Sequence, residues 1–375
     1  MYVSRMTRLW LNGGESTVDG DRPTRDPLDF HRKLPGYEPS SLVDVPELAD
    51  ELGLGRLWVK DESSRLALPS FKILGASWGV YRALDRHVGG FGKWDDLDDL
   101  KNQLAPHRPL ALAAATDGNH GRAVARMARL LELGGRIFVP AGTASARIEA
   151  IESEGASCEV VDGTYDDAVA RSAEEANDRC LVISDTSWPG YEDVPRWVIE
   201  GYSTIFSEIE DQLDGEDVDV VVIQLGVGAL GAAAIRHWRI ASAARPVMIG
   251  VEPDRAACVL ASLEAGRIVT IPGPHDSIMA GLNCGTPSIV AWPLVSAGFD
   301  AVAAIDDDRA REAMRALASV GVVAGESGAA GVGCLMDLQA SGVLLELGVT
   351  DRSRVLVLST EGATDPKAYA QIVGS

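Results

Sequence analysis

The chain has 375 residues, 46% of them hydrophobic and 24% charged, an ordinary globular composition with enough length to bury the cores of two domains. Its 55 Asp and Glu against 34 Lys and Arg give a formal net charge of −21, so the average surface repels nucleic-acid backbones and anionic membranes. An anionic ligand must then be held locally, by backbone N–H groups or a helix end, and a phosphate site should be rich in glycine rather than arginine.

The N-terminal MYVSRMTRLWLNGGEST has no apolar core of a secretory signal, and no later stretch reaches the roughly 18 apolar residues of a membrane helix; a cytoplasmic location is expected. In WVKDESSRLALPSFKILGASWGVYRAL, Lys72 follows Phe71 at the head of a helical run, after a turn at Pro69 and Ser70. A lysine set among Pro, Phe, Ile and Leu is partly desolvated, which lowers its pKa toward that of a reactive amine. The acidic patch 89–103 and the segment DQLDGEDVD at 211–219 read as solvated connectors, although DDLDDLKNQ has the makings of a short surface helix.

From residue 110 onward short apolar runs alternate with amphipathic ones. LALAAAT (110–116), RIFVP (136–140), CEVVD (158–162), CLVIS (180–184), VDVVVIQLG, PVMIGVE and RVLVLST each read as a buried parallel strand. HGRAVARMARLLELGG, ASARIEAIESEGA, TYDDAVARSAEEAND and DDDRAREAMRALASVG read as helices, several closed by a glycine. The expected fold class is α/β, with two open, mainly parallel sheets and helices on both faces.

Three strand ends carry chemistry. LALAAAT runs into Thr116, Asp117, Gly118, Asn119, His120 and Gly121 before a helix, the place where α/β sheets present ligands. There Asn119 can offer an amide to a ring hydroxyl, and Asp117 is a carboxylate suited to accepting a proton. In VVVIQLGVGALGAAAIRHW, Gly226, Gly228 and Gly231 separate a buried strand from a helix, whose free N–H groups can hold a phosphate without basic side chains. RVLVLS ends in Ser359 and Thr360, either of which can hydrogen-bond a ring nitrogen, with Ser359 preferred. The five cysteines, Cys158, Cys180, Cys258, Cys284 and Cys334, have neither CxxC nor metal-ligand spacing, so they read as buried small hydrophobes and no metal is expected.

The order of reactive Lys, Gly-Asn loop, Gly-rich loop and terminal Ser/Thr resembles the fold-type II pyridoxal 5′-phosphate (PLP) enzymes, the group of the serine and threonine dehydratases, cysteine synthases and the tryptophan synthase β subunit. Within that group the chain is most similar to the diaminopropionate ammonia-lyases. The similarity is carried by KDESSRLALPSFKILGA, AAATDGNHGRAVA, SDTSWPGYEDVPRWVIEGYSTI, GVEPDRAACV, IMAGLNCGTPS, GESGAAG and LSTEGATD, and spans residues from about 30 to the C-terminus. Asp117 stands where the hydroxyamino-acid dehydratases have a small Ala or Ser, and Ile73-Leu74-Gly75 where they tend to have an Arg before the Gly.

The resemblance implies a coenzyme bound as a Schiff base on Lys72 and α,β-elimination of ammonia from D- and L-2,3-diaminopropionate, giving pyruvate. It implies Lys72 and Asp117 as bases on opposite coenzyme faces, and Asp117 and Asp185 as carboxylates for the leaving β-ammonium. Asn119 would meet the ring 3′-oxygen, Gly226, Val227, Gly228, Ala229 and Leu230 the phosphate, and Ser359 or Thr360 the ring nitrogen. Ser70 and the turn from Asp117 to His120 would receive the substrate carboxylate, and Glu326 could sit at the coenzyme edge or cap a helix. A homodimer is implied too, with residues 76–190 as a small domain and 1–75 plus 191–375 as the large one. The rival readings are a serine or threonine dehydratase, a non-catalytic PLP-binding homeostasis protein, and a nucleotide-binding Rossmann protein in which Lys72 is incidental.

Overall fold

The computed structural model describes residues 8–14, 18–116 and 118–374. Among them the strands are β1 (Arg8–Leu11), β2 (Ser41–Asp44), β3 (Arg56–Asp61), β4 (Ala111–Ala115), β5 (Gly134–Pro140), β6 (Ser157–Val161), β7 (Cys180–Val182), β8 (Val220–Gln224), β9 (Val247–Pro253), β10 (Ala301–Ile305) and β11 (Arg354–Ser359). They form a seven-stranded sheet in the order β1-β10-β9-β8-β11-β3-β2 and a four-stranded sheet in the order β6-β5-β4-β7. Only the outermost strands of the larger sheet, β1 and β2, pair antiparallel; every other pairing is parallel.

The apolar runs are continuous because both faces of the larger sheet are covered. Successive side chains of a strand point to opposite faces. Val221 and Ile223 therefore enter one core with Leu356 and Leu358, while Val220 and Val222 enter the other with Val355 and Val357.

The seven runs read as parallel strands are strands, and four further strands, β1, β2, β3 and β10, went unread. β3 is interrupted by charge: Lys60 is 0% exposed and donates to Glu208 Oε2 at 2.8 Å, to the Ser40 carbonyl at 2.8 Å and to Gln212 Oε1 at 2.9 Å. Arg65, equally buried, bridges Glu208 and Glu62, so a fully paired network offsets the cost of taking these ions out of water. β10, AVAAI, is mostly alanine and carries little strand signal. The first acidic stretch holds the short surface helix its pattern allowed, and the second is largely exposed. Residues Leu97–Leu104 form a helix capped by the Asp96 carboxylate, with Leu97, Leu100 and Leu104 buried, and Asp219 accepts from Arg354 Nε at 3.0 Å.

The four-stranded sheet is drawn wholly from residues 111–182, whereas the helix Lys72–Val88 runs across the boundary expected at 75 and 76. That helix packs against Asp193–Leu213 almost backbone to backbone. A Cβ on Gly75 would stand 2.5 Å from Tyr202 Cε1, and one on Gly201 would stand 2.5 Å from the Leu74 carbonyl oxygen. His31 is buried against the same helices, Nδ1 at 2.8 Å from Thr204 Oγ1 and Nε2 at 3.0 Å from the Leu74 carbonyl; burial pushes its pKa down to about 3, so it stays neutral. The start of the lysine helix is thus fixed by close contact.

Gly75→Ala is expected to cost about 1–3 kcal/mol, the usual penalty for overpacking a filled core. Urea unfolding of the two proteins checks it, and equal midpoints would contradict the close contact.

Candidate functional site

Side chains from both sheets converge on one cleft of about 700 Å³. It lies beyond the C-terminal ends of parallel strands, where loops leave a gap that ligands fill. Thr116 and Asn119 follow β4, Asp185 follows β7, Gly226 to Leu230 follow β8, and Thr360 and Glu361 follow β11; all line the cleft with Ser70, Lys72 and His120. Asp117 lies outside the described residues.

Lys72 is the first residue of its helix and spans the cleft. Its Nζ donates to Asp185 Oδ2 at 2.7 Å, and the Tyr165 hydroxyl donates to Oδ1 at 2.9 Å. Asp185 is held in place by Tyr191, whose hydroxyl donates to the Val182 carbonyl at 2.6 Å and accepts from the Ser184 N–H at 3.0 Å. Burial alone would raise the Asp185 pKa, but the Lys72 ammonium and the two hydrogen bonds hold it well below the usual carboxylate range. His120 is pushed down by burial. Its Nε2 donates to the Ile183 carbonyl at 2.8 Å, which leaves Nδ1 as the bare nitrogen, 3.9 Å from Asp185 Oδ2.

The glycine loop forms the opposite wall. Gly228 has φ +96°, a left-handed conformation that disfavours a side chain, and it leads directly into the helix Ala229–Ile235. A Cβ on Gly226 would lie 3.2 Å from Cys284 Sγ. Among the described lining residues Lys72 is the sole Lys or Arg. Three lining residues keep a buried polar atom without a partner, namely Gln224 Oε1, His120 Nδ1 and Asn283 Oδ1. Buried polar groups are normally satisfied, so their gathering in one cleft marks a seat for a polar ligand.

Every described candidate except Ser359, Gly231 and Glu326 lines this cleft. Ser359 is 0% exposed and its hydroxyl turns to the Glu361 carbonyl at 3.5 Å, whereas Thr360, the next residue, lines the cleft. Both residues thus stand at the end of β11, Ser359 buried behind the cleft wall and Thr360 on it. Gly231 packs away from the cleft, where a Cβ would stand 2.5 Å from Leu225 Cδ2. Glu326 lines an adjoining hollow instead. None of the five cysteines is in a disulfide. Sequence reading missed Tyr165, Gln224 and Glu361; a polar Gln ending the buried run VVVIQ was the one local signal.

Comparison with known proteins gives a consistent picture. Residues 33–360 match the family model described as pyridoxal-phosphate dependent enzyme. Diaminopropionate ammonia-lyase of Escherichia coli is 33% identical over 97% of this chain and 94% of its own length. The crystal structure of the E. coli enzyme in complex with D-serine superposes with a TM-score of 0.90 at 31% identity, covering 98% of this chain and 96% of that one. Biosynthetic L-threonine dehydratase of Mycobacterium leprae is 30% identical over 70% of this chain and 58% of its own length.

Removing Lys72 leaves Asp185 buried without its cation, and Lys72→Ala should destabilise the coenzyme-free protein at pH 7 by roughly 3–5 kcal/mol. The sign of the pH dependence follows. In the native protein the depressed Asp185 pKa contributes stability above the ordinary carboxylate value of 3.8, lost as pH falls through it. In Lys72→Ala burial raises that pKa, so the variant gains stability as pH falls. The difference between the two should shrink from pH 7 to pH 5 in urea unfolding; a difference independent of pH would contradict the pairing.

Proposed function

The chain belongs to the family of pyridoxal-phosphate-dependent enzymes, and from that premise we propose that it eliminates ammonia from 2,3-diaminopropionate, giving pyruvate and a second ammonia. The cleft supports the coenzyme. Gln224 Oε1 offers an acceptor without a hydrogen-bond partner, Gly226 and Gly228 line the cleft without side chains, and Lys72 lines it beside Asp185. In this reading the backbone from Gly226 to Leu230 holds the phosphate, Asn119 meets the ring hydroxyl and Ser359 or Thr360 the ring nitrogen. When bound, the coenzyme supplies an electron sink for the carbon losing its proton.

The chain's own residues then divide the work. Lys72 carries the coenzyme and, once released, its amine takes the Cα proton of the L-isomer; Asp117 is assigned to the D-isomer on the strength of the resemblance alone. Ser70 and the N–H groups around His120 receive the substrate carboxylate. Asp185 and Tyr165 hold the β-ammonium, keeping a proton on a nitrogen that leaves poorly without one.

One observation carries the choice of substrate: Asp185, 5% exposed, already grips an ammonium ion, Lys72 Nζ, at 2.7 Å with Tyr165 on its other oxygen. When Lys72 is committed to the coenzyme, that seat is free for a second ammonium of the same chemistry. A hydroxyamino acid presents none, so a serine or threonine dehydratase would bury this carboxylate to no purpose. A cytoplasmic homodimer is the setting that the resemblance supports.

Asp185→Asn in the coenzyme-loaded enzyme should lower kcat/KM for diaminopropionate by about 100-fold or more, as for a charge-assisted contact strengthened in the transition state, with a smaller loss on any serine elimination. Equal losses on both substrates would contradict the assignment.

A further inference from the structure

Glu361 has no role in the reaction outlined above, yet the protein folds closely around it. It is 2% exposed, and it lines the cleft. One carboxylate oxygen accepts from Asn119 Nδ2 and the other from the Ser327 N–H at 3.1 Å. Its carbonyl oxygen accepts from the Gly325 N–H at 2.9 Å, and a Cβ on Gly328 would stand 2.5 Å from that oxygen. The glycines of GESGAAG thus let this loop close over the Glu361 backbone while its Ser327 N–H caps the side chain. Among the described residues, no Lys, Arg or His forms an ion pair with Glu361.

Asn119 opens the helix after β4, in the four-stranded sheet, and Glu361 follows β11, in the seven-stranded one. Their hydrogen bond crosses from one sheet to the other at the cleft wall. An amide nitrogen has two N–H groups. With one committed to an ionised acceptor, the stronger kind of hydrogen bond, the amide cannot flip, and the second N–H remains for the cleft.

Building on the coenzyme assignment above, we propose that Glu361 is a positioning residue that acts through Asn119 on the ring hydroxyl of the coenzyme. It fixes which end of the amide meets that oxygen, and it sets an unpaired negative charge behind the amide. A negative charge there favours the protonated form of the lysine-bound coenzyme.

The test uses Glu361→Gln, Asn119→Ala and the double variant, each loaded with PLP. The pH titration of the coenzyme's visible absorbance is the main readout, with kcat and KM measured alongside and the melting temperature of the coenzyme-free proteins as a check on folding. Removing the charge should lower the apparent pKa of the absorbance change by about one unit and lower kcat about tenfold with KM little changed. In the Asn119→Ala background the second substitution should lower kcat no further. Should Glu361→Gln fold poorly, Glu361→Asp keeps the charge and should retain the native titration. An unshifted titration in a folded Glu361→Gln protein, a shifted one in Glu361→Asp, or kcat losses that add fully in the double variant would overturn the proposal. Wild-type absorbance and turnover report on the coenzyme assignment separately, so the two can fail independently.

Discussion

The structure turns on one ammonium group placed in a cleft between two sheets. Lys72 enters from a helix packed closely on the helix Asp193–Leu213, and its partner Asp185 comes from the end of β7 in the four-stranded sheet. An ion in a partly dry site needs a partner in good geometry, or it is strongly destabilising. That requirement ties the start of the lysine helix to the end of β7 at the site of chemistry. The position of each partner is set elsewhere, Lys72 by the contact of Gly75 with Tyr202 and of Gly201 with Leu74, Asp185 by the two hydrogen bonds of Tyr191.

The second constraint is the net charge of −21. A strongly acidic chain that binds a phosphate has either to gather arginines or to expose backbone N–H groups. Here the left-handed Gly228 leads into a helix and no arginine stands among the described lining residues of the cleft, an arrangement that suits the second course. The arrangement leaves Lys72 as the single strong cation of the site, so its proton and its covalent state dominate the local field. Asp185, its pKa held down largely by that cation, is correspondingly sensitive to whether Lys72 is free or occupied.

Much of this was readable in the chain. The parallel strands stood out because both of their faces are buried, which makes them continuous apolar runs, and the turn at Pro69 and Ser70 marked the start of the lysine helix. β3 was hidden because Lys60 is buried through a network with Glu208 and Arg65, partners that only folding brings together. Tyr165 was hidden because TYDD forms a capping box, Thr164 with Asp167, so the tyrosine passes for the first residue of an ordinary helix. The choice between Ser359 and Thr360 depends on which face of an extended chain looks into the cleft, and a motif does not encode that. Glu361 acts on Asn119, 242 positions away, a distance at which local pattern carries no information.

The most direct measurement is the rate of pyruvate release by the PLP-loaded protein from DL-2,3-diaminopropionate, set beside L-serine and L-threonine under the same conditions. If an ammonium seat at Asp185 governs the reaction, diaminopropionate is turned over with a kcat/KM well above that of either hydroxyamino acid. Turnover confined to serine or threonine, with none from diaminopropionate, would leave the fold and the coenzyme standing and contradict the ammonium seat.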